Sequence, residues 1–409
     1  MPDPISWYAL GRDVNDPQTI LEAVDEKILT HNLDPSAHGQ SDEAVYNHRI
    51  SQLLDHVNYS IYNIKLHPET RPIKAFVDVG GAAEFSKLQD AIDYVHALGG
   101  GKIFVKAGNY IQTADITLYS DIYIEGEDND TTIINFNGTA YRMKGEGTAG
   151  VHITNVVISN IAIASSNNNT YQALRFDYGN NIIVEKCKFY DNVSSNADGM
   201  GDIIFGHALN IYIRENTLSS ANGIEIEGTN IFIEENYFNG EPAGGMYGNG
   251  VTMNSACHSV KITDNHFDFW CQSHIYIQNN SGASNNIIIA NNYFSQSDTW
   301  SIYADPVENM AISGNIFDRG SGNAIDLNGC NIVSISGNII TSFTGDGVDL
   351  DTSDRTAISG NTFNSMDGYG VDVSNNTCDG TVIVGNSMSG NTAGNVHDLG
   401  TGTINQHNG

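Results

Sequence analysis

Between residues 151 and about 395 the chain repeats itself, and the repeat decides the fold. Short apolar segments end in Asn followed by an apolar residue, as in NIYIRENTL, NIFIEENYF, SVKITDNHF, NIIIANNYF, NMAISGNIF and TAISGNTF. The recurrent residue falls at Asn216, Asn236, Asn265, Asn292, Asn315, Asn338, Asn361 and Asn386, in steps of 20, 29, 27, 23, 23, 23 and 25. A coil of this length that returns the chain to one place is a solenoid rung. Each Asn amide can bond its counterpart one rung away, forming an internal ladder. Cys187 takes the corresponding position in KCKF, which places that position inside. A leucine-rich repeat needs recurring Leu and a helix in every unit, and a propeller needs longer units. The fold class expected is all-β, a single-stranded parallel β-helix.

A second strand precedes each Asn-bearing one, from ALRFDYG to GVDVSNN. Alternation along a strand separates inside from outside. Inward pairs run from Leu174 with Phe176 to Val371 with Val373. Outward, one column reads Arg175, Ile204, Glu225, Thr252, Tyr276, Tyr303, Asp326, Asp349, Asp372. The other reads Asp177, Gly206, Glu227, Asn254, Gln278, Asp305, Asn328, Asp351, Ser374.

Rungs stack about 4.8 Å apart and alternate residues on one strand lie about 6.6 Å apart. Asp326, Asp349 and Asp372 therefore form a column of like charges, which costs free energy unless a proton or cation relieves it. Three readings follow. Asp305, Asp326, Asp349 and Asp351 can be a catalytic carboxylate set, one a general acid with raised pKa and another the base or nucleophile. Neighbouring-rung pairs suit retaining glycoside hydrolysis and same-strand pairs suit inversion. The column can hold Ca²⁺, whose ligands are oxygens; no other cofactor is expected. Or the Asp residues keep the face soluble and its edges unsticky.

Long rungs bring extra loops beside this face, with Met246, Tyr247, Phe267, Phe269 and Trp270, then Trp300 in the next rung; some of Phe267, Phe269 and Trp270 can be loop core instead. Tyr276, Trp300 and Tyr303 offer apolar faces to sugar rings. Glu225 and Glu227 add a carboxylate pair upstream. The binding region expected is a groove from Glu225 to Asp351, with His207 and His274 beside it as proton-transfer candidates.

Residues 73–150 read as a β/α opening segment. Phe85, Leu88, Ala91, Ile92, Val95 and Leu98 make one helical face, and Gly99-Gly100-Gly101 stops it. This helix followed by GGGKIFVKAGNY resembles the opening of pectate-lyase-like right-handed β-helix proteins, where a short helix caps the first coil. The resemblance covers roughly residues 73–395 and supplies the handedness. It includes polysaccharide lyases, polygalacturonases, mannuronan epimerases and phage tailspikes. The polygalacturonase pattern of NTD, paired Asp, HG and RIK is missing. The epimerase signature DPHE has only a near-echo in Asp305-Pro306-Val307-Glu308, where valine replaces the histidine.

Residues 1–72 have helical character, with Leu21, Val24 and Ile28 and then Ile50, Leu54, Val57, Ile61 and Ile64 at spacings of three and four. Such stripes make a coiled-coil seam or pack on a domain. The stretch THNLDPSAHGQSDEAVYNHR resembles stalk segments of phage tail-fibre and receptor-binding proteins. A stalk-driven homotrimer is expected, with 151–409 forming the rungs and the C-terminal end. In such a trimer three copies of His31 could meet on the axis.

Composition narrows the partners. Asp and Glu number 48 against 18 Lys and Arg, a formal charge of −30. Nucleic acid is excluded as a partner, because phosphate binding needs clustered cations. Five scattered Cys make no disulfide framework. No segment reads as membrane-spanning, so membrane insertion is not expected. The start, MPDPISWYALGRD, lacks a signal peptide's basic and apolar regions. The expectation is a glycan-recognising, tailspike-like receptor-binding protein at a virion or extracellular surface, its partner a cell-surface polysaccharide. Depolymerase activity is open. The alternatives are a free-standing carbohydrate-active enzyme, or a non-catalytic adhesin or structural fibre.

Overall fold

The computed structural model describes residues 72–136, 142–165, 173–190, 202–219, 223–239, 248–255, 257–278 and 282–408. The expected stalk with His31, and Met246 and Tyr247, lie outside the described residues, as do the side chains of Phe269 and Trp270. From Ile73 onward the chain forms one compact unit. It is an all-β right-handed parallel solenoid of about 12 turns with almost no helix.

A typical rung has three strands, Asn323–Asn328, Asn331–Ser336 and Ile339–Phe343. Each pairs in parallel with its counterpart one rung on, Val348–Asp351, Asp354–Ser359 and Thr362–Asn364. The coil begins upstream of the visible repeat. Ile73–Val77 pairs with Gly101–Val105, which pairs with Ile122–Gly126 and on to Ile153–Ser159.

The helix spans Leu88–Ala97 and buries Leu88, Ala91, Ile92 and Val95. Phe85 and Leu98, read from the sequence as part of that face, fall outside the helix. Phe85 bridges to Val77, and Leu98 is the half-exposed C-cap. Gly100, at φ 93°, is required where the helix ends: a Cβ there would lie 2.6 Å from the Asp121 carbonyl oxygen.

Every inward residue expected from alternation is buried, from Leu174 and Phe176 to Val371 and Val373. The Asn ladder is continuous. Asn216 Nδ2 donates to Asn236 Oδ1 at 3.0 Å, and the same bond recurs rung by rung through Asn265, Asn292, Asn315, Asn338, Asn361 and Asn386. The ladder runs one rung past the visible repeat, to Asn408 at 3.0 Å. At its start the Cys187 backbone N–H donates to Asn216 Oδ1 at 2.9 Å. Burying these amides costs little because each is fully paired.

At the groove wall one open choice is decided and one expectation is corrected. Phe267 is core, the second ring in a stack of Phe238, Phe267, Phe294 and Phe317 with centroids 4.3, 5.0 and 4.8 Å apart. His274 is also fully buried. Its Nε2 lies 3.0 Å from the Ser295 carbonyl oxygen and its ring packs against Phe267 and Phe294, so it does not reach the exposed face. In this rung the outward column position lies two residues further on, at Tyr276.

Candidate functional site

The outward column on the first strands is continuous in register. Arg175 pairs with Ile204, then come Glu225, Thr252, Tyr276, Tyr303, Asp326, Asp349 and Asp372. It extends at both ends beyond the residues read from the sequence, to Lys144 and to His397. In the second column Gln278 pairs with Asp305, and Asn328 with Asp351.

Asp326 and Asp349 stand on neighbouring rungs, and one amide serves both. Asn323 Nδ2 donates to Asp326 Oδ2 at 3.0 Å and to Asp349 Oδ2 at 3.3 Å. Asn323 Oδ1 in turn accepts the Asp346 backbone N–H at 2.8 Å. Asp349 Oδ1 is buried with no hydrogen-bond partner. Desolvation, followed by the charges of Asp326, Asp372 and Asp346 and partly offset by the Ser374 hydroxyl, pushes Asp349 up to about 6. Desolvation also raises Asp326 and Asp346, against the pull of Asn323 and Trp300 on the first and of the Tyr369 backbone on the second. Asp372 is relieved differently: its Oδ1 lies 2.8 Å from His397 Nδ1, and that imidazole stacks on Tyr369.

The aromatic residues lead directly into this cluster. Tyr276 and Tyr303 stack at 5.1 Å, and Trp300 leans on Tyr303 at 4.7 Å. Burial and Asp305 push the Tyr303 phenol up to about 12, so it stays a hydrogen-bond donor. Its OH donates to Asp305 Oδ2 at 3.4 Å, and Asn328 Nδ2 donates to the same oxygen at 3.4 Å. Asp351 Oδ1 accepts from Asn375 at 2.7 Å.

Glu225 and Glu227 lie upstream, in a groove of about 390 Å³ shared with Arg175, Asp177, His207 and Asn254. Here the carboxylates have close partners. Arg175 grips Asp177 with two bonds at 2.9 and 3.2 Å, and His207 Nδ1 lies 2.6 Å from Glu227 Oε1. Asn254 donates to Glu225 at 3.1 Å. The structure thus gathers the proposed residues into two stations on one face, Glu225 and Glu227 in the groove and Tyr276, Trp300, Tyr303, Asp305, Asp326, Asp349 and Asp351 downstream.

Asn323, Asp346 and His397 were not read from the sequence. The signal was present: Trp300, Asn323, Asp346 and Tyr369 each stand three residues before a column residue. For Ca²⁺ the carboxylate oxygens of this column are the right donor chemistry. Among the described residues no group of three or more His, Cys, Asp or Glu side chains is placed to hold a metal ion.

The family described as a right-handed β-helix region matches residues 249–408. No curated protein matches in sequence. The A-module of the Azotobacter vinelandii mannuronan C-5 epimerase AlgE4 is similar in structure, with 15% identity and a TM-score of 0.62, over 78% of this chain and 94% of that one. So is PfbA, a surface adhesin of Streptococcus pneumoniae, with 14% identity and a TM-score of 0.57, over 75% and 86%. The tailspike of E. coli bacteriophage HK620, solved with a hexasaccharide, has 16% identity and a TM-score of 0.50, over 74% of this chain and 57% of its own. At these identities the likeness concerns the fold: the chain is a right-handed parallel β-helix protein.

Proposed function

We propose that this chain is a surface-displayed, tailspike-like protein that recognises a glycan along its first strands and cleaves it at Asp326 and Asp349. One observation carries the reading: a platform of stacked aromatic rings runs straight into a carboxylate pair, one member of which keeps its proton to about pH 6. Sugar rings stack on Tyr276, Trp300 and Tyr303. Asp349 donates the proton to the leaving oxygen as Asp326, whose carboxylate accepts the Asn323 amide, attacks the anomeric carbon; water, deprotonated by Asp349, then hydrolyses the glycosyl ester on Asp326. Strands about 4.8 Å apart place the two groups near the spacing of retaining glycosidases, roughly 5 Å. Asp305 and Asp351 then bind sugar hydroxyls beside the cleaved bond.

The ligand this face suits is neutral or amine-bearing. Its basic side chains are engaged: Arg175 with Asp177, His207 with Glu227, His397 with Asp372, and Lys144 with Asp115 and Glu146. A uronate or sulfated chain would meet carboxylates and basic groups that are already paired.

The test is a screen of neutral, amine-bearing and acidic polysaccharides, reading binding and the release of reducing ends. Binding of a neutral chain with cleavage supports the reading. The second reading, a non-catalytic adhesin or fibre, is favoured by Asn323, whose amide ties up an oxygen on each member of the pair. It predicts binding that survives Asp326→Asn and Asp349→Asn, with no reducing ends from the unaltered chain. A free-standing enzyme would cleave as a monomer of 44.2 kDa. Display as a homotrimer at a virion or other extracellular surface is part of the proposal, and Ca²⁺ has no step in it.

A further inference from the structure

The upstream groove is built around a missing side chain. In the second outward column Asp177, Gly206 and Glu227 stand on successive rungs, so a glycine separates two carboxylates. The backbone does not ask for it, because its φ lies outside the left-handed region. A Cβ there would lie 2.9 Å from Asp177 Oδ1. A longer side chain would fill the groove that Gly206 lines.

The same spot carries a β-bulge. Phe205 pairs with Ile226 and Ala208 with Gly228, so Gly206 and His207 together oppose Glu227. A bulge re-aims a side chain. Here His207 takes φ 50°, its ring leans on Tyr178 at 4.7 Å, and its Nδ1 lies 2.6 Å from Glu227 Oε1. The outcome is a hollow with half-buried Ile204 and Gly206 as its floor and charged side chains round its rim.

Charge selects what enters. Asp177, Glu225 and Glu227 line the groove against Arg175 and His207, so even with His207 protonated one negative charge is left over. Arg175 already spends two bonds on Asp177. An anion is repelled here and a cation attracted. A bare metal ion has no use for the apolar Ile204, whereas an ammonium group carried on a ring does. Position selects a sugar among such amines. Glu225 leads through Thr252 and Tyr276 to Tyr303 and Asp326, four rungs along one outward column, or about 19 Å.

We infer that this groove holds an amino-sugar residue of the glycan, its ammonium group at Glu225 and Glu227 and its C–H face over Ile204. The inference rests on the first strands being a glycan-binding face and sharpens that reading: the glycan carries an amine at a fixed distance from the bond above Asp326 and Asp349.

The test is calorimetric titration of the full chain with the tetramer of glucosamine, its fully N-acetylated counterpart and tetralysine. It is run at physiological salt and about pH 6, where the amines carry a proton and the glutamates do not. The glucosamine tetramer should bind at least tenfold more tightly than the other two. Gly206→Leu, which fills the groove without changing charge, and Glu227→Gln should each weaken it at least tenfold, with circular dichroism unchanged. No binding of the glucosamine tetramer, equal binding of the acetylated tetramer or of tetralysine, or undiminished binding in both variants overturns the inference. Equal binding of the two sugar tetramers would do so while leaving the glycan-binding face standing. Groove-dependent binding without reducing ends would uphold the inference and count against cleavage.

Discussion

Asp326 and Asp349 face each other across neighbouring rungs and share the Asn323 amide, at 3.0 Å from one Oδ2 and 3.3 Å from the other. One amide cannot neutralise two carboxylates, so a proton does the rest. The cluster is therefore a store of electrostatic strain that titrates in a useful range.

The first prediction concerns pH and stability. Unfolded, Asp349 titrates near 3.8, and folded at about 6. Well below pH 4 both states hold the proton. Between those values the folded state holds more, so stability falls as pH rises through the window and the loss is complete above it. Asp349→Asn should therefore raise the unfolding temperature at pH 7, by about 1–2 °C, and change it little at pH 4. Thermal scans from pH 4 to 8 check this, and a gain that is equal at every pH would show that Asp349 ionises as an ordinary surface carboxylate.

The second concerns chemistry. On a polysaccharide that the chain cleaves, Asp326→Asn and Asp349→Asn should each lower kcat by about 100-fold or more, the usual worth of a positioned acid or nucleophile. Asp305→Asn and Asp351→Asn should act mainly on KM. Because the acid must be protonated, kcat should fall as pH rises past about 6. Reducing-end assays across pH measure both effects, and undiminished cleavage in the first two variants would remove the assignment.

The repeat made the solenoid legible because the Asn ladder leaves a sequence trace: a buried amide must meet its twin in every rung, so the same residue returns. Alternation then placed Tyr276, Tyr303, Asp326 and Asp349 in one column without coordinates. Less was legible where spacing varies. Phe267 and His274 lie in one strand of 13 residues whose pairing register shifts along its length, and local alternation does not say which side is core. His397 was missed because the last rung carries a single Asn-type signal, at Asn408, outside the counted series. The partnering of Asp349 with Asn323 depends on a side chain 26 residues away reaching across one rung, which register gives and pattern does not.

The third prediction concerns the platform. Tyr303→Ala removes the ring that both Tyr276 and Trp300 contact. Loss of one such stacking partner is worth about 0.5–1.5 kcal/mol, so glycan affinity should drop by roughly 3- to 10-fold. Tyr303→Phe keeps the ring and loses only the bond to Asp305, and should bind nearly as well. Calorimetric titration of the bound glycan separates the two, and equal losses would assign the effect to the hydroxyl instead of the stack.

The fourth concerns the ladder. Asn315 is fully buried; its Nδ2 donates to Asn338 and to the Ile289 carbonyl, and its Oδ1 accepts from the Asn292 backbone and side chain. Asn315→Ala leaves buried partners unsatisfied on both neighbouring rungs, at about 1–3 kcal/mol for each such group. Asn315→Asp keeps the acceptor but loses the donor and buries a charge, so it should be worse at pH 7 than at pH 4, where the carboxyl is largely protonated. Chemical denaturation of both variants at the two pH values checks the order. If Asn315→Asp were the milder change at pH 7, the rungs would be held by strand pairing alone and the ladder would be a passenger of the repeat.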